Sequence, residues 1–161
     1  MSEAFIVEAV RTPVGRRGGG LSQIHPADIG GHAIRALMHR SQVDPDAVDD
    51  VIFGCLDAIG PQAGDIARTC ALVAGLPQHV PGVTIDRQCG SAQQAVHFAA
   101  QAVMSGTMDV VIAGGVQNMS QVPILASATL GQDEEYSPYT SSPGWQTIYG
   151  SGDVSQFVGA E

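Results

Sequence analysis

Short apolar segments alternate with longer segments of helical periodicity between residues 4 and 115, and this alternation limits the possible folds most strongly. Four segments of strand length lie at residues 4–10, 51–53, 83–85 and 110–113, and they are rich in β-branched residues. Helical patterns fill the intervals between them. Strands that alternate with helices in this way predict an α/β fold with a mostly parallel mixed sheet.

Three helices are predicted in these intervals. The first starts at Pro26, a residue suited to the first helical position, and the second ends before Gly75, a typical residue for the end of a helix. The third runs from about Gly90 to Ser105. Its apolar stripe is mostly alanine, which lets neighbouring backbones approach closely, so we expect this helix to lie deep between layers. The stripe consists of Ala92, Ala95, Val96, Ala99, Ala102 and Val103.

The character of the sequence changes after residue 124. Residues 125–161 are rich in glycine, serine and proline and show weak periodicity. We therefore divide the chain into an α/β unit at residues 1–124 and a connection or the opening of another domain at residues 125–161.

Charge and cysteine content exclude several classes of function. Seven Lys+Arg against sixteen Asp+Glu give a net charge of −9, which argues against binding nucleic acid through its phosphates. No apolar run reaches the roughly 18 residues of a membrane span, and no secretory signal is visible, so we expect no membrane association. Three cysteines without a CxxC pair argue against a disulfide framework or a zinc site and favour the reducing cytoplasm.

Cys89 is the candidate catalytic residue, because it lies between the end of a predicted strand and the first turn of the third helix. Ligands usually collect at this edge of an open α/β sheet. Unpaired amide groups and the positive end of a helix favour the nucleophilic thiolate there. The alternative is a buried structural cysteine, the commoner role of a free cysteine. Cys55 and Cys70 lack this setting, and we predict that they pack at a strand end and on a helix face.

The histidines do not complete a site with Cys89. His25, His32 and His39 recur every seven residues, about 10.5 Å apart along a helix, which is too far for two imidazoles to share a metal ion. We interpret them as a solvated or interface stripe and predict no metal site. His97 lies eight residues after Cys89, about 12 Å along a helix, and cannot serve as its base within a straight helix. Any general base must come from elsewhere in the fold.

Four ordered segments together resemble the thiolase family. Residues 10–15 (VRTPVG) resemble its opening, and residues 66–77 resemble its "AR…AGLP" helix and turn. Residues 86–95 (DRQCGSAQQA) resemble the segment with the acylated cysteine, and residues 113–120 (AGGVQNMS) resemble the loop that follows it. They occur with the family's spacing across residues 4–124. The resemblance places Cys89 at the position of the family's nucleophile.

The resemblance implies one βαβαβαββ half of an αβαβα sandwich, with the Cys89 helix in the middle layer. It also implies acyl transfer from 3-ketoacyl-CoA through an acyl-cysteine, with coenzyme A as a substrate and no permanently bound cofactor. The ligands would be acyl-CoA thioesters, and the complete protein would be a homodimer or a homotetramer. We favour the degradative direction, as in β-oxidation, over the biosynthetic one. Acyl-chain length is not encoded in these residues.

Three later features of the family do not occur in this sequence: the "GHP" histidine, the "CxG" cysteine and an asparagine that helps to hold a substrate oxygen. Residues 125–161 are expected to open the family's loop domain, which usually supplies most contacts with coenzyme A. We therefore expect a truncated chain. One alternative is an inactive half that acts only as an association module, and another is a condensing enzyme of the ketosynthase type.

Overall fold

The computed structural model of this protein describes residues 3–129, 137–152 and 154–160. The chain forms two compact units, Met1–Ile124 and Leu125–Glu161. Residues 130–136, which fall in the predicted second domain, lie outside the described residues.

Three parallel strands form the sheet of the first unit. They are β1 (Asp50–Gly54), β2 (Gly82–Ile85) and β3 (Val111–Gly115), in the order β2-β1-β3. Val51 of the central strand pairs with Gly82 on one side and Ile112 on the other. The predicted α/β class and three of the four predicted strands are confirmed.

Three helices cover this sheet: α1 (Pro26–Ser41), α2 (Ile66–Ala74) and α3 (Ser91–Ser105). Their ends carry the expected signals, because Asp65 accepts a hydrogen bond from the first turn of α2 and Gly75 ends that helix with a left-handed backbone. Short 3-10 helices occur at Pro45–Ala47, Gly60–Gln62 and Val158–Ala160.

The alternation of side chains along β1 divides the core into two clusters. Val51 and Phe53 belong to a large cluster with residues of α1 and α2, whereas Ile52 packs with Ala95 and Ala99 of α3. The sheet is therefore enclosed between the α1–α2 layer and α3, and the carboxyl ends of its strands meet at the edge where α3 begins.

The predicted strand at residues 4–10 is wrong, since no residue of this segment forms a ladder in the structure. Phe5, Ile6 and Val7 are 78%, 81% and 74% exposed. Their β-branched and aromatic side chains suit a strand, but a strand also needs a neighbouring edge for its backbone hydrogen bonds. The segment instead forms an ion pair between Glu8 and Arg40, at 3.2 Å.

Helix α3 is covered on one face, and our expectation of deep burial between layers is not met. Its buried residues are Ser91, Gln94, Ala95 and Ala99. On the opposite face, Val96 and Met104 are 42% and 47% exposed, because no described element of the first unit packs there.

The second unit contains the short helices α4 (Ala126–Thr129) and α5 (Pro143–Tyr149). Ser142 caps α5 by accepting a hydrogen bond from the Trp145 amide, at 3.3 Å. Trp145 packs between Tyr139 and Tyr149, with ring centroids 5.0 and 4.7 Å apart. Among the described residues, no helix has the length and apolar character needed to cross a membrane.

Replacement of Gly30 tests the contact between α1 and α2. A Cβ atom on Gly30 would lie 2.3 Å from the Cys70 sulfur, and Cys70 is fully buried. We expect Gly30→Ala to reduce the free energy of unfolding by about 1–3 kcal/mol through overpacking, despite the higher helix propensity of alanine. Urea denaturation measures the change. Gly20→Ala is the control, because a Cβ atom there meets nothing within 4 Å; equal stability of the two variants would contradict the close packing.

Candidate active site

A tight turn between β2 and α3 carries Cys89. The Gly90 amide donates to the Arg87 carbonyl at 3.0 Å, so residues 87–90 close a turn with Cys89 in its third position. Gln88 has a left-handed backbone with φ of 47°, which costs a residue with a side chain about 1–2 kcal/mol. The Asp86 carboxylate offsets part of this cost by accepting from the Gln88 amide at 2.7 Å. The turn leaves Cys89 exposed to solvent.

Ser91, the first residue of α3, fixes the shape of this turn. Its hydroxyl accepts from the Arg87 amide at 2.8 Å and donates to the Gln88 carbonyl at 2.6 Å. Ser91 is buried, so both bonds are shielded from water. The Arg87 guanidinium is held in turn by the side-chain oxygen of Gln94, at 2.5 Å. One hydroxyl therefore locks the backbone on both sides of the left-handed residue.

Two glycines allow the first turn of α3 to rest directly on the sheet. A Cβ atom on Gly54, at the end of β1, would lie 2.3 Å from the Ala92 nitrogen. A Cβ atom on Gly115, at the end of β3, would lie 2.7 Å from the Gly54 oxygen and 3.0 Å from the Ala92 Cβ. A side chain at either position would force the helix away from the strand ends. Because Gly54 and Gly115 have no side chains, α3 can start against the strand ends, and Cys89 lies at the edge of the sheet.

A cavity of about 210 Å³ lies beside Cys89. Residues 54–56 at the end of β1 form one wall, and residues 115–117 at the end of the neighbouring strand β3 form the wall beside it. The turn that carries Cys89 and the start of α3 close the third side. This arrangement places an exposed thiol beside a space large enough for a small acyl group, at the positive end of a fifteen-residue helix.

The other two cysteines are buried and are poor nucleophiles. Burial, with the nearby charges of Asp86 and Asp57, raises the pKa of the Cys55 thiol to about 11. Burial raises the pKa of the Cys70 thiol to about 12. Cys55 packs at the end of β1 and Cys70 on the buried face of α2, as predicted. Both stay protonated at neutral pH and lack nucleophilic character.

Cys55 also lines the cavity, where its thiol contacts Gln117. The sulfur donates to the Leu56 carbonyl at 3.4 Å and to the Gln117 side-chain oxygen at 3.6 Å. The Gln117 amide nitrogen is buried and has no hydrogen-bond partner among the described residues. This contact joins the two adjacent walls, in addition to the backbone hydrogen bond from the Val116 amide to the Gly54 carbonyl at 3.2 Å.

The structure does not bring a histidine to Cys89. His25, His32 and His39 are exposed on or next to α1, and His97 is exposed on α3. His25 caps α1 by accepting from the Ala27 amide at 3.1 Å. No histidine or carboxylate lines the cavity within the described part of the chain. Among all described residues, no group of three or more histidine, cysteine, aspartate or glutamate side chains could hold a metal ion.

Sequence reasoning missed a buried amide network behind the cavity. The Gln62 side-chain oxygen accepts from the backbone amide of Asn118 at 2.8 Å. The Gln62 side-chain nitrogen donates to the Asp57 carbonyl at 3.0 Å. The Asn118 side chain donates to the Ile24 and Leu21 carbonyls at 2.9 and 3.1 Å. Gln62 and Asn118 are 56 positions apart, and no local pattern signals a bond over that distance.

Comparisons with known proteins agree on one family. The family described as "Thiolase, N-terminal domain" matches residues 4–141. A steroid 3-ketoacyl-CoA thiolase, FadA6, from Mycobacterium tuberculosis is 58% identical over 162 residues, which cover 100% of this chain and 40% of that protein. A beta-ketoadipyl-CoA thiolase from Escherichia coli is 41% identical over 92% of this chain and 37% of its own length.

A solved structure shows the same fold. The crystal structure of the Bacillus anthracis acetyl-CoA acetyltransferase matches with a TM-score of 0.71 and 41% identity, over 74% of this chain and 30% of that one. The chain thus spans about two fifths of the length of the curated relatives it matches.

Alkylation tests the difference among the three cysteines. At pH 8 we expect iodoacetamide to modify Cys89 and to leave Cys55 and Cys70 unmodified in the folded protein, because both are buried and about one in a thousand or fewer of their thiols are ionised. Peptide mass spectrometry locates the label. Unfolding in urea should expose all three thiols to the reagent; modification of Cys55 or Cys70 before unfolding would contradict their burial.

Ser91→Ala tests the lock on the turn. Loss of the buried hydroxyl leaves the Arg87 amide without its acceptor, and we expect the free energy of unfolding to fall by about 1–3 kcal/mol. Ser105→Ala is the matched control at the other end of α3, where the exposed hydroxyl donates to the Ala102 carbonyl; we expect a change within about 0.5 kcal/mol. Thermal unfolding measures both. If the free energy of unfolding fell as much in Ser105→Ala, the two buried hydrogen bonds of Ser91 would add no stability beyond that of an exposed serine.

Proposed function

The chain belongs to the thiolase family, and from this premise we propose that Cys89 accepts an acyl group from a 3-ketoacyl-CoA thioester. The observation that carries the proposal is the exposed thiol of Cys89 beside a cavity at the first turn of α3. The names of the relatives, a steroid 3-ketoacyl-CoA thiolase and a beta-ketoadipyl-CoA thiolase, support 3-ketoacyl-CoA as the substrate class. The family match also favours a thiolase over the condensing enzymes of the ketosynthase type.

The proposed reaction has two steps. In the first, the Cys89 sulfur attacks the keto carbon, the bond between that carbon and the α-carbon breaks, and its electron pair leaves with acetyl-CoA, whose α-carbon takes a proton. The shortened acyl group remains on Cys89 as a thioester. In the second, the thiol of another coenzyme A attacks this thioester, forms acyl-CoA and returns the Cys89 sulfur.

Electrostatics of the turn favour the charged species of both steps. The positive end of α3 favours the oxyanion that forms on the attacked carbon. We propose the Cys89 backbone amide as one donor to that oxyanion. The described cavity lining holds no histidine or carboxylate, so we assign the base for Cys89 and the acid for the α-carbon to the histidine and second cysteine that the resemblance implies. We place these two residues in the part of the relatives that this chain does not span.

Coenzyme A is a substrate in this proposal, and residues 125–161 begin the loop domain that contacts it. We assign the contacts with its phosphates to the part of that domain in the relatives that this chain does not span, because phosphates require cations and this chain has a net charge of −9. We propose a cytoplasmic homodimer or homotetramer that works in the degradative direction.

A second candidate is an inactive half that serves as an association module. The exposed apolar residues Val96 and Met104 on the outer face of α3 favour it, because exposed apolar side chains can mark a binding site for another protein. Thiolysis measured with the 161-residue chain alone separates the two candidates, since turnover would rule out the inactive half.

Substitution of the nucleophile tests the main proposal. With 3-ketoacyl-CoA and coenzyme A, we expect the full-length protein to release acetyl-CoA and Cys89→Ser to reduce that release to background, because a hydroxyl is a far weaker nucleophile. Chromatography of the CoA esters measures the product, and mass spectrometry detects the acyl group on Cys89. Cys70→Ala, which removes a buried thiol that does not line the cavity, is expected to keep the activity; acetyl-CoA release that survives Cys89→Ser would reject the assignment.

A further inference from the structure

Gln62 joins the two residues that directly follow the two walls of the cavity. It is fully buried at the end of the short helix Gly60–Gln62, and both polar atoms of its side chain are hydrogen-bonded. The nitrogen donates to the carbonyl of Asp57, and the oxygen accepts from the amide of Asn118. A single side chain therefore links Asp57 and Asn118, which are far apart in the sequence.

The two partners of Gln62 directly follow the two walls. Asp57 comes after Leu56, the last residue of the wall that extends β1, and Asn118 comes after Gln117, the last residue of the wall that extends β3. Asp57 has a left-handed backbone with φ of 54°, a conformation that persists where the surroundings hold it. The hydrogen bond from Gln62 helps to hold it.

We propose that Gln62 is a positioning residue that fixes the far ends of the two walls beside Cys89, beyond the last pair of the β1–β3 ladder, and so orients the acyl group for transfer. The inference rests on the proposed function, which supplies the acyl group. Its physical basis is that a buried amide with two bonds of 2.8 and 3.0 Å is costly to displace. A displacement of about 1 Å in a reacting geometry can slow a reaction about a hundredfold.

Gln62→Met tests this role, because methionine has a similar length and makes neither hydrogen bond. Acylation of Cys89 by 3-ketoacyl-CoA requires a bound and oriented substrate, whereas alkylation by iodoacetamide requires only an exposed thiol. We expect the variant of the full-length protein to slow acylation about tenfold or more and to leave the alkylation rate of Cys89 within about twofold. Both rates are measured by mass spectrometry of the Cys89 peptide.

Gln121→Met is the matched control. The Gln121 side chain also makes two hydrogen bonds, to the carbonyls of Ser22 at 3.1 Å and Ile24 at 2.9 Å, but it connects neither wall. We expect its acylation rate to match that of the unmodified protein. Where Gln62→Met does not fold, Gln62→Asn takes its place, since a side chain shorter by one methylene cannot reach both Asp57 and Asn118.

Each outcome decides the role of Gln62. Slow acylation with normal alkylation in the Gln62 variant alone supports positioning. Equal loss of both reactions, or equal slowing in Gln121→Met, overturns it in favour of general stability, and normal acylation in the Gln62 variant overturns it while leaving the proposed function intact. Absence of any acyl-Cys89 in the unmodified protein rejects the proposed function, and the role of Gln62 falls with it.

Discussion

The contact between the first turn of α3 and the ends of β1 and β3 is the constraint on which this structure depends. Gly54 and Gly115 have no side chains, so the backbone of α3 begins directly against the sheet. This approach seats Ala95 and Ala99 on the sheet and closes the smaller core cluster. It also places the turn that carries Cys89 at the carboxyl edge of parallel strands, where residues of neighbouring strand ends meet around one cavity.

Local signals were sufficient to predict most of the fold. Three strands and three helices were predicted within a few residues, because each is marked by its own periodicity and by a cap such as Gly75. The segment at residues 4–10 has an equally clear strand composition but no ladder in the structure. Composition reports whether a segment suits a strand, whereas the pairing depends on a neighbouring edge that can lie anywhere in the sequence. The exposed face of α3 was mispredicted for the same reason.

The candidate site was predicted in part. The position of Cys89 followed from its place between a strand and a helix, together with the motif around it. The lock formed by Ser91 was not predicted, although the serine lies two residues away, because its function depends on the left-handed backbone of Gln88. The bond between Gln62 and Asn118 spans 56 positions and depends on the finished fold. The position of Cys89 was thus visible in the sequence, and the hydrogen bonds that support it were not.

The three exposed apolar residues near the amino terminus bear on how the protein behaves in concentrated solution. Phe5, Ile6 and Val7 form a short tract that can add to the open edge of another sheet. Glu3 and Glu8 flank the tract and oppose such stacking by charge repulsion. Salt screens this repulsion and weakens the ion pair that anchors Glu8. Screening by salt therefore removes part of the charge that keeps this tract from pairing with another sheet.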